Sequence, residues 1–103
     1  MAISLWAAWL ERALTAQEME AMEAMMPPWR RERLLNLPKE KQREPLCAYM
    51  ILRLALWETQ NWKEPPEMAV TEMGKPYFPD YPSVRFNLSH TSGAVLVGVS
   101  DQD

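Results

Sequence analysis

The chain has 103 residues, of which 48% are apolar and 24% charged, and a net charge of -3. A chain of this length forms one domain that buries about 60 to 70% of the surface its unfolded form exposes, with no room for a second core. The balance favours a folded domain over a disordered one and argues against a nucleic-acid partner, and no apolar run approaches the roughly 20 residues that a bilayer-spanning helix needs.

Met1 to Leu14 is apolar at its start but has no basic leader and carries Glu11 and Arg12 where a secretory signal would finish, so a cytoplasmic chain is expected. Within it, "SLWAAWL" reads either as a helix start or as a first strand, because Leu5, Ala7 and Trp9 alternate only imperfectly. Thr15 followed by Glu18 is a capping-box pattern, and "AQEMEAMEAMM" places Met19, Met22 and Met26 on one helical face as packing residues. Pro27 and Pro28 stop that helix and open the next. In the basic stretch "RRERLLNLPKEKQR", Arg30 and Arg33 share a helical face, as do Leu34 and Leu37.

A longer helix is expected over Leu46 to Trp57, where Leu46, Tyr49, Met50, Leu54 and Trp57 follow the 3.6-residue period. Pro45 is a first-turn residue or a kink in an element that begins near Lys39, and Cys47, the single cysteine, reads as a buried small side chain. After the connection "QNWKEPPE", Met68 to Val70 and Val84 to Leu88 are short strand candidates. "SGAVLVGVS" is the strongest candidate, with Gly98 marking a bulge or a close backbone approach. Helices first and strands after make an α+β domain with the helices covering one face of a sheet.

Ser89 beside His90 suggests a nucleophile and base, but neighbours on a strand point to opposite faces, and no "GxSxG" elbow is present. A single histidine with no carboxylate spacing around it does not make a metal centre. Taken alone, His90 is a hydrogen-bonded strand-end residue and Lys75 an exposed turn lysine. Together with the basic stretch they suggest an anion site, since a phosphate has several acceptor oxygens for Arg, Lys, Ser and His, and Gly74 lets a flat ligand approach the backbone.

The segment "GKPYFPDYPSVRFNLSH" resembles the signature of the larger, surfactin-synthesis class of 4'-phosphopantetheinyl transferases, with its "GKP" turn and "FN(L/I)SHS" strand end. Upstream, "WRRERLLNLPKEKQREPLCAYMILRLAL" is similar to the basic helix pair of that family, so the resemblance covers most of the chain. It implies transfer of the phosphopantetheine arm of coenzyme A to a serine of an acyl or peptidyl carrier protein. Position by position, it implies that Gly74, Lys75 and Pro76 border the adenine and the 3'-phosphate, and that Ser89 and His90 hold the nucleotide end with His90 at the 3'-phosphate. Arg30 and Arg33 would be phosphate contacts, and Arg43 another. Thr91 replaces the second serine of "SHS" and keeps its hydroxyl.

The family enzymes are built from two similar α+β halves with coenzyme A in the cleft between them, and this chain resembles the N-terminal half. The family's magnesium carboxylates lie in a "G(V/I)DxE" motif after the strand that here ends in "VGVSDQD", and in a "WxxKE" motif of the second half. Glu64, Asp101 and Asp103 do not match those positions. The resemblance therefore implies a nucleotide grip without the metal ligands, no transfer by this chain alone, and association with a second half or with another copy. A non-catalytic interaction module is the alternative.

Overall fold

The computed structural model describes residues 2–101. The chain begins with a strand, β1 (Ala2–Trp9), which settles the choice left open by "SLWAAWL". It pairs antiparallel with β5 (Ala94–Asp101), from Ile3 opposite Ser100 to Trp9 opposite Ala94. On the other side of β5 lies β4 (Val84–Thr91), also antiparallel, giving the sheet order β1-β5-β4. β1 lacks a clean alternation because both of its faces carry apolar side chains. Trp6 turns inward against the core, whereas Ile3, Leu5 and Trp9 stand outward at 64, 68 and 74% exposure.

Helix α1 (Ala16–Ala24) starts at the expected capping box: the Glu18 N–H donates to Thr15 Oγ1 at 3.0 Å, and Glu18 Oε1 accepts from the Thr15 N–H at 2.9 Å. Arg12 clamps the same carboxylate with two hydrogen bonds of 2.7 and 2.8 Å. The helix ends one residue before Met25, so Met26 lies beyond it, yet Met26 is buried and Met19 and Met22 pack on the core. α2 (Pro28–Leu35) opens on Pro28, where a missing N–H costs nothing. Leu34 is buried, but the helix stops at Leu35 and Leu37 leaves the shared face for an exposed connection.

A single 3₁₀ turn (Lys39–Lys41) leads into α3 (Arg43–Gln60), which begins earlier and ends later than the expected Leu46 to Trp57. Pro45 sits in the first turn of α3 without a kink, because that turn's N–H groups have no partner inside the helix. Asn61, at φ 61°, caps the far end in the left-handed conformation. Leu46, Leu52 and Leu56 of α3 are fully buried, with Val97 and Val99 of β5 and Val84 and Phe86 of β4 in the same core, while Val95 packs in a smaller cluster with Cys47 and Ala48. The architecture is α+β, with helices on one face of a small antiparallel sheet. Cys47 is buried in it, and burial raises its thiol pKa.

Two very short strands, β2 (Ala69–Val70) and β3 (Pro76–Tyr77), form a separate hairpin. An aromatic cluster holds the adjoining chain in place. The Trp62 ring meets Phe78 edge-on with centroids 5.5 Å apart and leans on Tyr81 at 4.8 Å, while Phe78 lies 5.1 Å from Phe86 of β4. Gly98 is not a bulge, since β5 keeps unbroken register on both sides. A Cβ there would lie 3.2 Å from Leu5 Cδ2, so the side chain of β1 makes the close approach.

Candidate functional site

The "GKP" segment is the tip of the β2–β3 hairpin. Thr71 and Lys75 are joined by a 2.9 Å hydrogen bond from the Thr71 N–H to the Lys75 carbonyl, and the Gly74 N–H donates to the Thr71 carbonyl at 2.8 Å. The chain can close in so few residues because Gly74 adopts φ +84°, a conformation in which any Cβ is strained. The Lys75 N–H also donates to Thr71 Oγ1 at 3.1 Å.

Against this turn stands α2. Arg33 Nη2 lies 3.3 Å from where a Cβ on Gly74 would be, so two motifs separated by forty-odd residues meet at one point. The guanidinium of Arg33 lies over the Trp29 ring, 5.7 Å from its centroid, one helical turn away. That of Arg30 lies over the same ring at 5.9 Å and over Tyr49 of α3 at 5.3 Å. The Tyr49 hydroxyl donates to the Met25 carbonyl at 3.3 Å, which fixes its ring.

Arg30 is largely withdrawn from water, and its buried Nε–H has no hydrogen-bond acceptor. Leaving such a donor unmet costs about 1–3 kcal/mol. Burial lowers the pKa of Arg30; Tyr49 opposes that shift and the like charge of Arg33 adds to it. The ion pairs among the described residues are Arg12–Glu18, Arg43–Glu44 and Arg53–Glu64. None involves Arg30, Arg33 or Lys75, so no described carboxylate pairs directly with this cluster, while Glu64 and Glu67 border the same hollow as Trp29 and Tyr49.

Lys75 links the cluster to the outer face of the sheet. A cavity of about 560 Å³ is lined by Lys75, Arg85, Asn87 and Ser89 on one side and by Ile3, Leu5 and Leu96 on the other. Lys75 and Arg85 also share a second hollow of about 240 Å³ beside Pro76, Tyr77 and Pro82. The region defined by charge and the region defined by shape thus touch at Lys75. Ser89 faces this outer side, while its neighbour His90 lies in register with buried Val95 and so faces the other. Both border a hollow of about 290 Å³ at the end of the sheet.

Of the residues singled out in the sequence, Arg33 and Gly74 are brought together, with Lys75 and Pro76 beside Gly74 and Arg30 joined to Arg33 through Trp29. Arg43 is not part of this group. Its Nε donates to Glu44 at 2.9 Å and its Nη1 to the Arg12 carbonyl at 3.0 Å, at the start of α3. Arg85 and Trp29 were not singled out. The signal for Arg85 was its strand parity, which matches that of Asn87 and Ser89; for Trp29 it was the four-residue spacing to Arg33.

Among the described residues no group of three or more His, Cys, Asp or Glu side chains could hold a metal ion. Asp101 Oδ2 accepts from Gln60 Nε2 at 3.1 Å, Glu64 pairs with Arg53 at 3.6 Å, and Asp103 lies outside the described residues. No helix among the described residues is long and apolar enough to cross a membrane.

No family model matches the chain. It is 27% identical over 103 residues to the 4'-phosphopantetheinyl transferase ffp of Bacillus subtilis, a match that covers 98% of this chain and 46% of that protein. A second 4'-phosphopantetheinyl transferase of Bacillus subtilis is also 27% identical over 103 residues, covering 97% of this chain and 46% of its own length. The chain is thus weakly homologous to a 4'-phosphopantetheinyl transferase family and spans less than half the length of these curated relatives. Its helices on a small antiparallel sheet agree with part of a larger fold of that kind.

Proposed function

We propose that this chain is the nucleotide-gripping half of a phosphopantetheinyl transferase. In this reading it binds the nucleotide end of coenzyme A, while the arm of that molecule is moved to a serine of an acyl or peptidyl carrier protein in the cytoplasm. The observation that carries the reading is the seating of Arg33 on Gly74, which joins the basic helix to the "GKP" turn in a cluster whose cations form no ion pair with a described carboxylate. Guanidinium and ammonium donors without internal partners suit the oxygens of a phosphate.

Arg30, Arg33 and Lys75 would contact the phosphates, Gly74 and Pro76 would border the adenine, and Ser89 and His90 would hold the ribose phosphate from the strand end. Arg43, committed to Glu44 and the Arg12 carbonyl, would contribute only after giving up those bonds. The role proposed for this chain is the nucleotide grip, and none of its described carboxylates is assigned to a metal.

A second reading, a protein-interaction module, is favoured by the exposed apolar row Ile3, Leu5 and Trp9. Calorimetric titration with coenzyme A separates the two. Saturable binding that is lost in the Arg30→Ala/Arg33→Ala double variant supports the nucleotide grip, and absence of binding by the folded wild-type chain contradicts it.

A further inference from the structure

We infer that Trp29 is a positioning residue for the anion site: its indole holds the guanidinium groups of Arg30 and Arg33 together so that two like charges act on one ligand. The identity of that ligand rests on the nucleotide-grip reading; the ordering of the two arginines does not.

The argument starts from the cost of the arrangement. Two cations on neighbouring positions of one short helix repel each other, and no described carboxylate pairs with either. Free to rotate, they would move apart into solvent. Instead both lie over one indole, at 5.9 and 5.7 Å from its centroid, and Arg30 is also covered by Tyr49 at 5.3 Å. The electron-rich rings attract both guanidinium groups and, for Arg30, replace part of the hydration lost on burial. Because Tyr49 is tied to the Met25 carbonyl, Arg30 is held from α3 as well as from α2.

A guanidinium held near a ring still carries N–H donors that suit the oxygens of a phosphate. Arg33 carries this positive charge to the Gly74 turn, whereas the Nε–H of Arg30 is enclosed and leaves contact with a ligand to the terminal N–H groups. Trp29 itself need not touch the ligand, since it acts through the two arginines.

Two measurements test this on the 103-residue chain, with Trp29→Leu to remove the ring face and Trp29→Phe to restore one. The first reads the order of the Arg30 and Arg33 Nε–H groups by ¹⁵N relaxation without ligand. Trp29→Leu is expected to lower it toward that of an exposed arginine such as Arg85, and Trp29→Phe to recover most of it. The second compares coenzyme A with 3'-dephospho-coenzyme A by calorimetry. The preference for the 3'-phosphorylated ligand is expected to fall about five- to thirtyfold in Trp29→Leu, the scale of two partly exposed cation–π contacts. Thermal unfolding checks that each variant remains folded. Unchanged order of both arginines in folded Trp29→Leu overturns the positioning role, as does an unchanged ligand preference. A wild-type chain with no preference for the 3'-phosphate contradicts the nucleotide grip, and the ordering role then stands or falls on the relaxation of the two arginines in Trp29→Leu alone.

Discussion

Arg33 Nη2 sits 3.3 Å from the point where a side chain on Gly74 would begin. A Cβ there would make the guanidinium tip give way slightly, and the turn closes because the same residue can adopt φ +84°. Gly74→Ala is therefore expected to act twice. The left-handed backbone should cost about 1–2 kcal/mol of stability, read by urea unfolding. The added methyl should also displace Arg33 and weaken coenzyme A binding beyond what the stability loss explains, so a destabilised variant with wild-type affinity would separate the turn from the site.

Lys75 stands where the charge cluster meets the cavity on the outer sheet face. Lys75→Ala should weaken binding of coenzyme A more than that of the analogue lacking the 3'-phosphate, by about 1.5–3 kcal/mol, the worth of a hydrogen bond to a charged group. An equal loss for both ligands would remove Lys75 from that phosphate.

The N-terminus of α1 should respond to acid. Arg12 and, after it, the Thr15 N–H hold the Glu18 carboxyl down from its ordinary 4.5 to about 2. Because the folded pKa is the lower one, this contribution to stability is complete above pH 4.5 and fades as pH falls toward 2. Glu18→Gln should flatten that part of the stability profile, followed by thermal unfolding across the window. Thr15→Ala should cost about 1 kcal/mol at neutral pH, through the lost cap.

The outward row Ile3, Leu5 and Trp9, with Leu96 beside it, leaves a contiguous apolar face on the sheet. Faces of this kind associate. Sedimentation at increasing concentration should show self-association of the wild-type chain and its loss in Leu5→Lys, and a monomer throughout would count against association at this face.

The helical half was legible in the sequence because its signals are local. Thr15 and Glu18 mark the cap and Pro28 marks the start of α2, whereas the face expected for α3 holds only in part: Leu46 and Tyr49 are buried, but Leu54 and Trp57 are exposed and Leu52 and Leu56 take the core positions. The extent of α3 was harder to read, since Pro45 looks the same as a start or as a kink until the first turn is seen around it. β1 was ambiguous because an apolar outer face erases the two-residue alternation. The pair Pro76–Tyr77 carries no strand period at all and is held by its hairpin and by the aromatic cluster around Phe78. Within the site, the opposite facing of Ser89 and His90 follows from strand geometry alone. The meeting of Arg33 with Gly74 and the withdrawal of Arg43 into bonds with Glu44 and Arg12 depend on tertiary packing, which spacing does not encode.

The most direct test of the nucleotide grip is to follow the backbone amide signals of the ¹⁵N-labelled chain while coenzyme A is added. The account predicts that Arg30, Arg33, Gly74, Lys75 and Ser89 shift together along one saturating curve, with the apolar row Ile3, Leu5 and Trp9 moving only alongside them and Arg43 little changed. Shifts confined to that apolar row, or an unchanged spectrum at saturating ligand, would contradict it.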